Sequence, residues 1–198
     1  VAKAGVTVVL NTEVTGEYVR NFAPDALVVA IGSSELVPPI KGIDGENVVM
    51  AIDAELHPEK LGKRVAIMGG GLVGAEAAVS FAHEGHECSV IEMKSAVAEE
   101  VNSFYRGGLM PHVEESAKLY TDTKVKEIVP EGVICENKDG EFLVEADTVV
   151  CALGFRAPYD MVDQLCNMAE EYYVVGDCKN VAQIYQAISA GYYAARKI

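Results

Sequence analysis

No C-x-x-C pair occurs among the five cysteines, Cys88, Cys135, Cys151, Cys166 and Cys178. That scatter leaves no redox-active dithiol and no zinc framework, and it fits the reduced thiols of a cytosolic protein. Lysine and arginine form no cluster, and the formal charge is −14, which argues against nucleic acid as a partner and is read as a device of solubility. The first ten residues have neither the basic start nor the long apolar core of a secretory leader. No clean membrane span is present. The most apolar window, residues 65–82, contains Gly69, Gly70, Gly71, Gly74 and Glu76, and its pattern is that of a strand, a turn and a helix. These absences describe a cytoplasmic protein with no membrane and no metal among its partners. His83 and His86 stand at i and i+3 but have no cysteine or paired carboxylates beside them, and His57 and His112 stand alone.

What is present is apolar content, 50% of the residues, enough for a substantial core. The chain is organised around residues 64–92. The run Val65-Ala66-Ile67-Met68 passes into Gly69-Gly70-Gly71-Leu72-Val73-Gly74, an alanine-rich segment follows, and the run Cys88-Ser89-Val90-Ile91 ends at Glu92. This is the order strand, glycine turn, helix, strand, acid. Gly69 permits the turn, Gly71 lets backbone approach a diphosphate, and Gly74 lets helix and strand pack closely. The helix then opens with free N–H groups and a positive dipole end. Glu92 suits the two hydroxyls of an adenosine ribose and repels a 2′-phosphate, favouring NADH over NADPH, while Lys94 softens that preference.

Elsewhere the pattern predicts a helix end and a strand over residues 4–10, and a strand buried on both faces in the run ending at Gly32. An extended linker follows to residue 45, then a short strand near residues 47–51 and a helical connection over 53–62. Pro111 predicts a helix broken or begun at that point. Residues 124–144 read as an antiparallel meander. Residues 147–154 form another buried strand that echoes 25–32, an acid followed by an apolar run ending in glycine, and suggest two related nucleotide-binding halves. The strand ending at Gly176-Asp177 and a helix over about 181–197, with Ile184, Ala187, Ile188 and Gly191 on one face, close the chain.

With these pieces in place the chain resembles the C-terminal region of NADH:flavin oxidoreductases of the 2,4-dienoyl-CoA reductase and 2-enoate reductase type, within the pyridine nucleotide-disulfide reductase-like flavoproteins. The motifs behind the resemblance are the strand to Gly32, with Ile31 where Thr is usual; residues 64–154; the exit loop Gly154-Phe155-Arg156-Ala157-Pro158; and Val174-Val175-Gly176-Asp177. The resemblance implies an α/β protein: a Rossmann-like NADH-binding domain over residues 54–155, flanked by residues 1–53 and 156–198 as a partial FAD-binding domain. It further implies that the first glycine-rich unit of the FAD domain, and an N-terminal barrel with FMN and an iron–sulfur cluster, belong to a region preceding Val1. The chain is then a fragment whose partners are its cofactors and its own N-terminal domains, inactive alone. The two flanking remnants are expected to pack on each other, and an uncovered strand edge offers a route to homo-oligomers.

The cofactor-binding residues so implied are Gly69, Gly70, Gly71, Leu72, Val73, Gly74, Glu76, Glu92, Lys94 and Gly154 for NADH, with Gly32, Gly176 and Asp177 for FAD. Glu76 has two readings: an acid approaching the flavin–nicotinamide region, or a partly buried acid that favours the helix start. Asp177 reads as a flavin ligand of the whole protein, and in this chain as an acid at a helix N-terminus. Cys178 beside it is a reactive thiol or a buried structural one. No acid–base residue is expected, because hydride transfer between two cofactors asks the protein for orientation and electrostatics. The implied activity is transfer of hydride from NADH to FAD and of electrons onward to an activated alkene. A nucleotide-binding or redox-sensing module without turnover, and a disulfide or peroxide reductase, remain the competing readings.

Overall fold

In the computed structural model, which describes residues 2–198, the chain runs α1 (Gly16–Phe22), β1 (Leu27–Val29), β2 (Ser34–Glu35), β3 (Val48–Met50), α2 (Ala51–Leu56), β4 (Arg64–Met68), α3 (Leu72–His83), β5 (Glu87–Ile91) and α4 (Ser103–Ser116). It continues through β6 (Ala117–Tyr120), β7 (Lys124–Val129), β8 (Gly132–Asn137), β9 (Gly140–Glu145), β10 (Thr148–Cys151), β11 (Phe155–Arg156), α5 (Tyr159–Cys166), β12 (Tyr172–Val174) and α6 (Ile184–Ala195). The chain divides into two compact units, one of Glu35–Gly154 and one of Val1–Ser34 with Phe155–Ile198.

The larger unit is a Rossmann-like α/β layer structure. Its parallel sheet has the order β3-β10-β4-β5-β6. A central parallel strand must be apolar on both faces, and β4 shows why. Val65 and Ile67 point into one core with Ala75, Ala78, Phe81 and Val113 of α3 and α4. Ala66 and Met68 point the other way, against Ile128, Val133, Cys135 and Val144. The second core is closed by the predicted antiparallel meander, β7-β8-β9. The sheet is therefore covered by helices on one face and by the meander on the other.

In the smaller unit β1 pairs in parallel with β12, Val28 opposite Tyr173. This is the packing of the two flanking segments that their apolar runs predict. Val19 of α1 and Val162, Leu165 and Cys166 of α5 close a small core over Val29 and Cys178.

Four local features depart from the sequence expectations. Residues 6–10 form no strand; Val6, Val8, Val9 and Leu10 are exposed, because an apolar run becomes a strand only beside a hydrogen-bonding partner. Pro111 lies inside the continuous helix α4 rather than at its end. There the preceding turn carries Gly107 and Gly108, both open to solvent, while Val113 is fully buried and Leu109 and Met110 pack on the core; this packing holds the helix together despite the lost backbone bond. The apolar residues Ile184 and Ile188 of α6 are exposed, and Ala194 is that helix's buried residue. Finally, β3 and α2 belong to the larger unit, so that unit begins at Glu35 rather than at residue 54; Val48 pairs with Val149 across the sheet.

Arg64 ties the start of β4 to the entry of β10, its guanidinium 2.6 Å from both Asp147 Oδ1 and Glu145 Oε2. The hydrogen bond from Arg64 holds the Asp147 carboxyl below its ordinary value of 3.8. A depressed acid stabilises the fold above its ordinary pKa, and that contribution drains away as pH falls through the lower folded value. The thermal midpoint of the wild-type chain should therefore exceed that of Asp147→Asn at neutral pH. The gap should close as pH drops below 3.8, in paired melting curves followed by circular dichroism.

Candidate functional site

The glycine turn sits where β4 ends. Gly69 adopts φ +100 and donates its N–H to the Ile91 carbonyl at 2.9 Å, locking the turn to the end of β5. A Cβ on Gly69 would press on the Ala152 carbonyl oxygen at 2.5 Å, so the end of β10 forms one wall of the turn. Helix α3 starts after Gly71, with no side-chain cap. Ala75 N–H is bonded to the Gly71 carbonyl, and the earlier N–H groups of Leu72, Val73 and Gly74 have no intrahelical acceptor. An uncapped start of a twelve-residue helix is a natural seat for an anion.

Glu92 lies beside it, 8% exposed. Its Oε2 accepts from the Gly70 N–H at 2.7 Å and its Oε1 from the Lys94 N–H at 2.8 Å. Both oxygens are thus fixed by backbone donors, charge-assisted bonds of the stronger kind. Lys94 turns its ammonium elsewhere, to within 4 Å of Glu99 and Glu100.

Glu76, one turn into α3, is exposed rather than partly buried and accepts the Tyr105 hydroxyl at 2.6 Å. That hydrogen bond pushes the Tyr105 phenol above its ordinary pKa. Gly154 lies beyond β10 in the same unit, φ +94, its carbonyl accepting from the Leu36 N–H. The structure thus brings Gly69 through Gly74, Glu76, Glu92 and Lys94 around one helix start.

Gly32, Gly176 and Asp177 lie in the smaller unit. With Ala30, Val175 and the approach to α6 they line a cavity of ≈ 340 Å³. Asp177 sits in a 3-10 turn and its Oδ1 accepts from the Ala182 N–H at 3.2 Å, before α6 begins. Cys178 is fully buried, its sulfur 3.1 Å from the Val175 carbonyl oxygen and 3.3 Å from that of Val29, either of which can accept the single S–H. All five cysteines are buried and free. Burial pushes the Cys88 and Cys135 thiols up to about 11, which disfavours the reactive thiolate.

The sequence did not single out Ala98, Glu99, Glu100 or Tyr105. The acid pair following Lys94 was visible; the left-handed Ala98, φ +53, which aims those acids at the turn, carried no local signal. Among the described residues no group of three metal-ligating side chains is found, and no helix is long and apolar enough to cross a membrane.

Comparison with known proteins agrees with the α/β fold that carries these residues. A family model described as pyridine nucleotide-disulphide oxidoreductase matches residues 1–191. A bilirubin reductase of Mediterraneibacter gnavus is 37% identical over 174 residues, covering 87% of this chain and 27% of that protein. An NADH oxidase of Thermoanaerobacter brockii is 31% identical, covering 100% of this chain and 31% of that protein. Among solved structures, a 2-naphthoyl-CoA reductase in complex with 2-naphthoyl-CoA superposes with a TM-score of 0.90 at 33% identity, over 100% of this chain and 30% of that one. The chain therefore spans less than a third of the length of each of these relatives.

Proposed function

Because the chain belongs to the pyridine nucleotide-disulphide oxidoreductase family, we propose that it is the electron-input part of a flavin-dependent NADH oxidoreductase. In this reading the Glu35–Gly154 unit holds NADH. Gly69 through Gly74 and the first turn of α3 take the diphosphate, Glu92 takes the adenosine ribose, and Glu76 and Gly154 lie toward the remainder of the cofactor. The smaller unit supplies Gly32, Gly176 and Asp177 to FAD. When bound, the nicotinamide supplies a hydride and the flavin receives it.

The observation that carries the proposal is the pairing of an uncapped helix start with a buried carboxylate anchored to the same turn. The helix start offers unpaired N–H groups to a diphosphate, and backbone hydrogen bonds hold Glu92 in place beside it. The chain's residues bind and orient; none is assigned a proton transfer. In the longer protein, electrons would pass on to a preceding region carrying FMN and an iron–sulfur cluster and reduce an activated alkene, an enoate or an enoyl thioester.

The test is optical. The longer protein that carries this region is loaded with FAD, then NADH is added without oxygen and the flavin absorbance is followed. Bleaching is the expected result. Binding of NADH with no bleaching would leave a nucleotide-binding module in place of the reductase.

A further inference from the structure

The loop between β5 and α4 is fastened to the glycine turn. Ala98 is fully buried in the left-handed conformation, φ +53, and its N–H donates to the Gly70 carbonyl at 2.7 Å. Val97 is 2% exposed, and its carbonyl accepts from Arg106 Nε at 3.0 Å. Of the next two residues, Glu100 is presented at the mouth of the turn and Glu99 lies beside Lys94. Glu100 Oε1 stands 2.9 Å from the point a Cβ on Gly71 would occupy. Lys94 Nζ lies 3.8 Å from Glu99 Oε2 and 3.7 Å from Glu100 Oε2.

We propose that Glu99 and Glu100 determine which dinucleotide this site accepts, by keeping Lys94 paired and so denying a cation to a 2′-phosphate. The inference rests on the reading of Gly69 through Gly74 and Glu92 as the dinucleotide site. Lys94 follows Glu92 by two residues and is bonded to it through its own N–H; it is the basic residue positioned to answer a phosphate on the adenosine ribose. As the loop stands, two carboxylates, Glu99 and Glu100, share the Lys94 ammonium, and a third, Glu92, is bonded to the backbone of the same segment, so the carboxylates outnumber the cation. A 2′-phosphate meets that net negative charge, whereas two ribose hydroxyls meet an acceptor. Discrimination of this kind comes from building repulsion against the unwanted ligand as well as attraction for the wanted one.

The experiment compares dissociation constants for NADH and NADPH by calorimetry on the native chain and on the doubly substituted Glu99→Gln/Glu100→Gln chain. All three side chains of the cluster are about half exposed, so the substitutions leave the core untouched, and circular dichroism checks the fold. The NADPH-to-NADH ratio of dissociation constants should fall about tenfold in the double variant. The fall should shrink at high salt, where exposed charges are screened. Adding Lys94→Met to the double variant should reverse most of that fall. An unchanged ratio, or a gain that survives Lys94→Met in full, overturns the proposal while leaving the site reading intact. A native chain that binds neither dinucleotide overturns the site reading, and this inference with it.

Discussion

Glu92→Ala is expected to weaken NADH binding roughly a hundredfold and to lower the stability of the larger unit by about 2–4 kcal/mol. The two effects share one cause. The native carboxylate is buried and accepts two backbone N–H groups, from Gly70 and from Lys94. Alanine leaves both donors without a partner; the Gly70 N–H is buried, where an unsatisfied donor costs about 1–3 kcal/mol, and the Lys94 N–H is part-buried and costs less. It also removes the charged acceptor proposed for the ribose hydroxyls, worth about 1.5–3 kcal/mol for each bond to a charged group. Glu92→Gln should fall between, because an amide keeps one acceptor oxygen but sets an NH₂ against a backbone N–H. Calorimetric titration with NADH and urea melts of the three proteins give both quantities. If Glu92→Ala lost stability but bound NADH as well as the native chain, the carboxylate would be a structural clasp for the turn and nothing more.

The legibility of this molecule tracks how local each signal is. Strand β4, the glycine turn, α3 and β5 were readable because one stretch carries the whole unit: an apolar run, glycines at fixed offsets and an acid at the far end. The meander was readable for the same reason, with turns at Pro130-Glu131-Gly132 and Lys138-Asp139-Gly140 between short apolar runs. What escaped depends on partners distant in sequence. That β3 belongs to the sheet of β4 rests on its pairing with β10, Val48 opposite Val149, a choice no window around Val48 contains. Helix α4 runs through Pro111 because Val113, Leu109 and Met110 are buried against a core assembled elsewhere, and tertiary packing overrides propensity. Residues 6–10 show the converse, a strand-like composition with no strand. At the site, Glu92 was visible as a residue type, but its two backbone clasps were not. The acids at 99 and 100 were not singled out in the sequence, because the buried left-handed residue that orients them, Ala98, carries no local signal.

Gly74→Ala is expected to cost about 3 kcal/mol or more of stability and to abolish measurable dinucleotide binding, although Gly74 itself need touch no ligand. A helical interior normally gains from this exchange, since alanine is the better helix former by about 1 kcal/mol. Here the sign reverses. A Cβ at Gly74 would overlap the Gly69 carbonyl oxygen and meet Ile67 Cγ2 at 3.3 Å. The oxygen is main chain and cannot rotate away, and the Gly69 N–H is already bonded to Ile91. Either α3 moves off β4, opening the core around Ile67, Ala75 and Ala78, or the turn deforms and the first N–H groups of α3 lose their common direction. Both routes damage fold and site together. Gly85→Ala is the matched control for left-handed strain, φ +98 with nothing within 4 Å of a Cβ: it should cost about 1–2 kcal/mol and leave NADH affinity unchanged. Denaturant melts and NADH titration of the two variants separate close packing at the turn from backbone strain elsewhere. Equal losses of affinity in both would mean that global destabilisation, and not the fit of α3 against the glycine turn, governs binding.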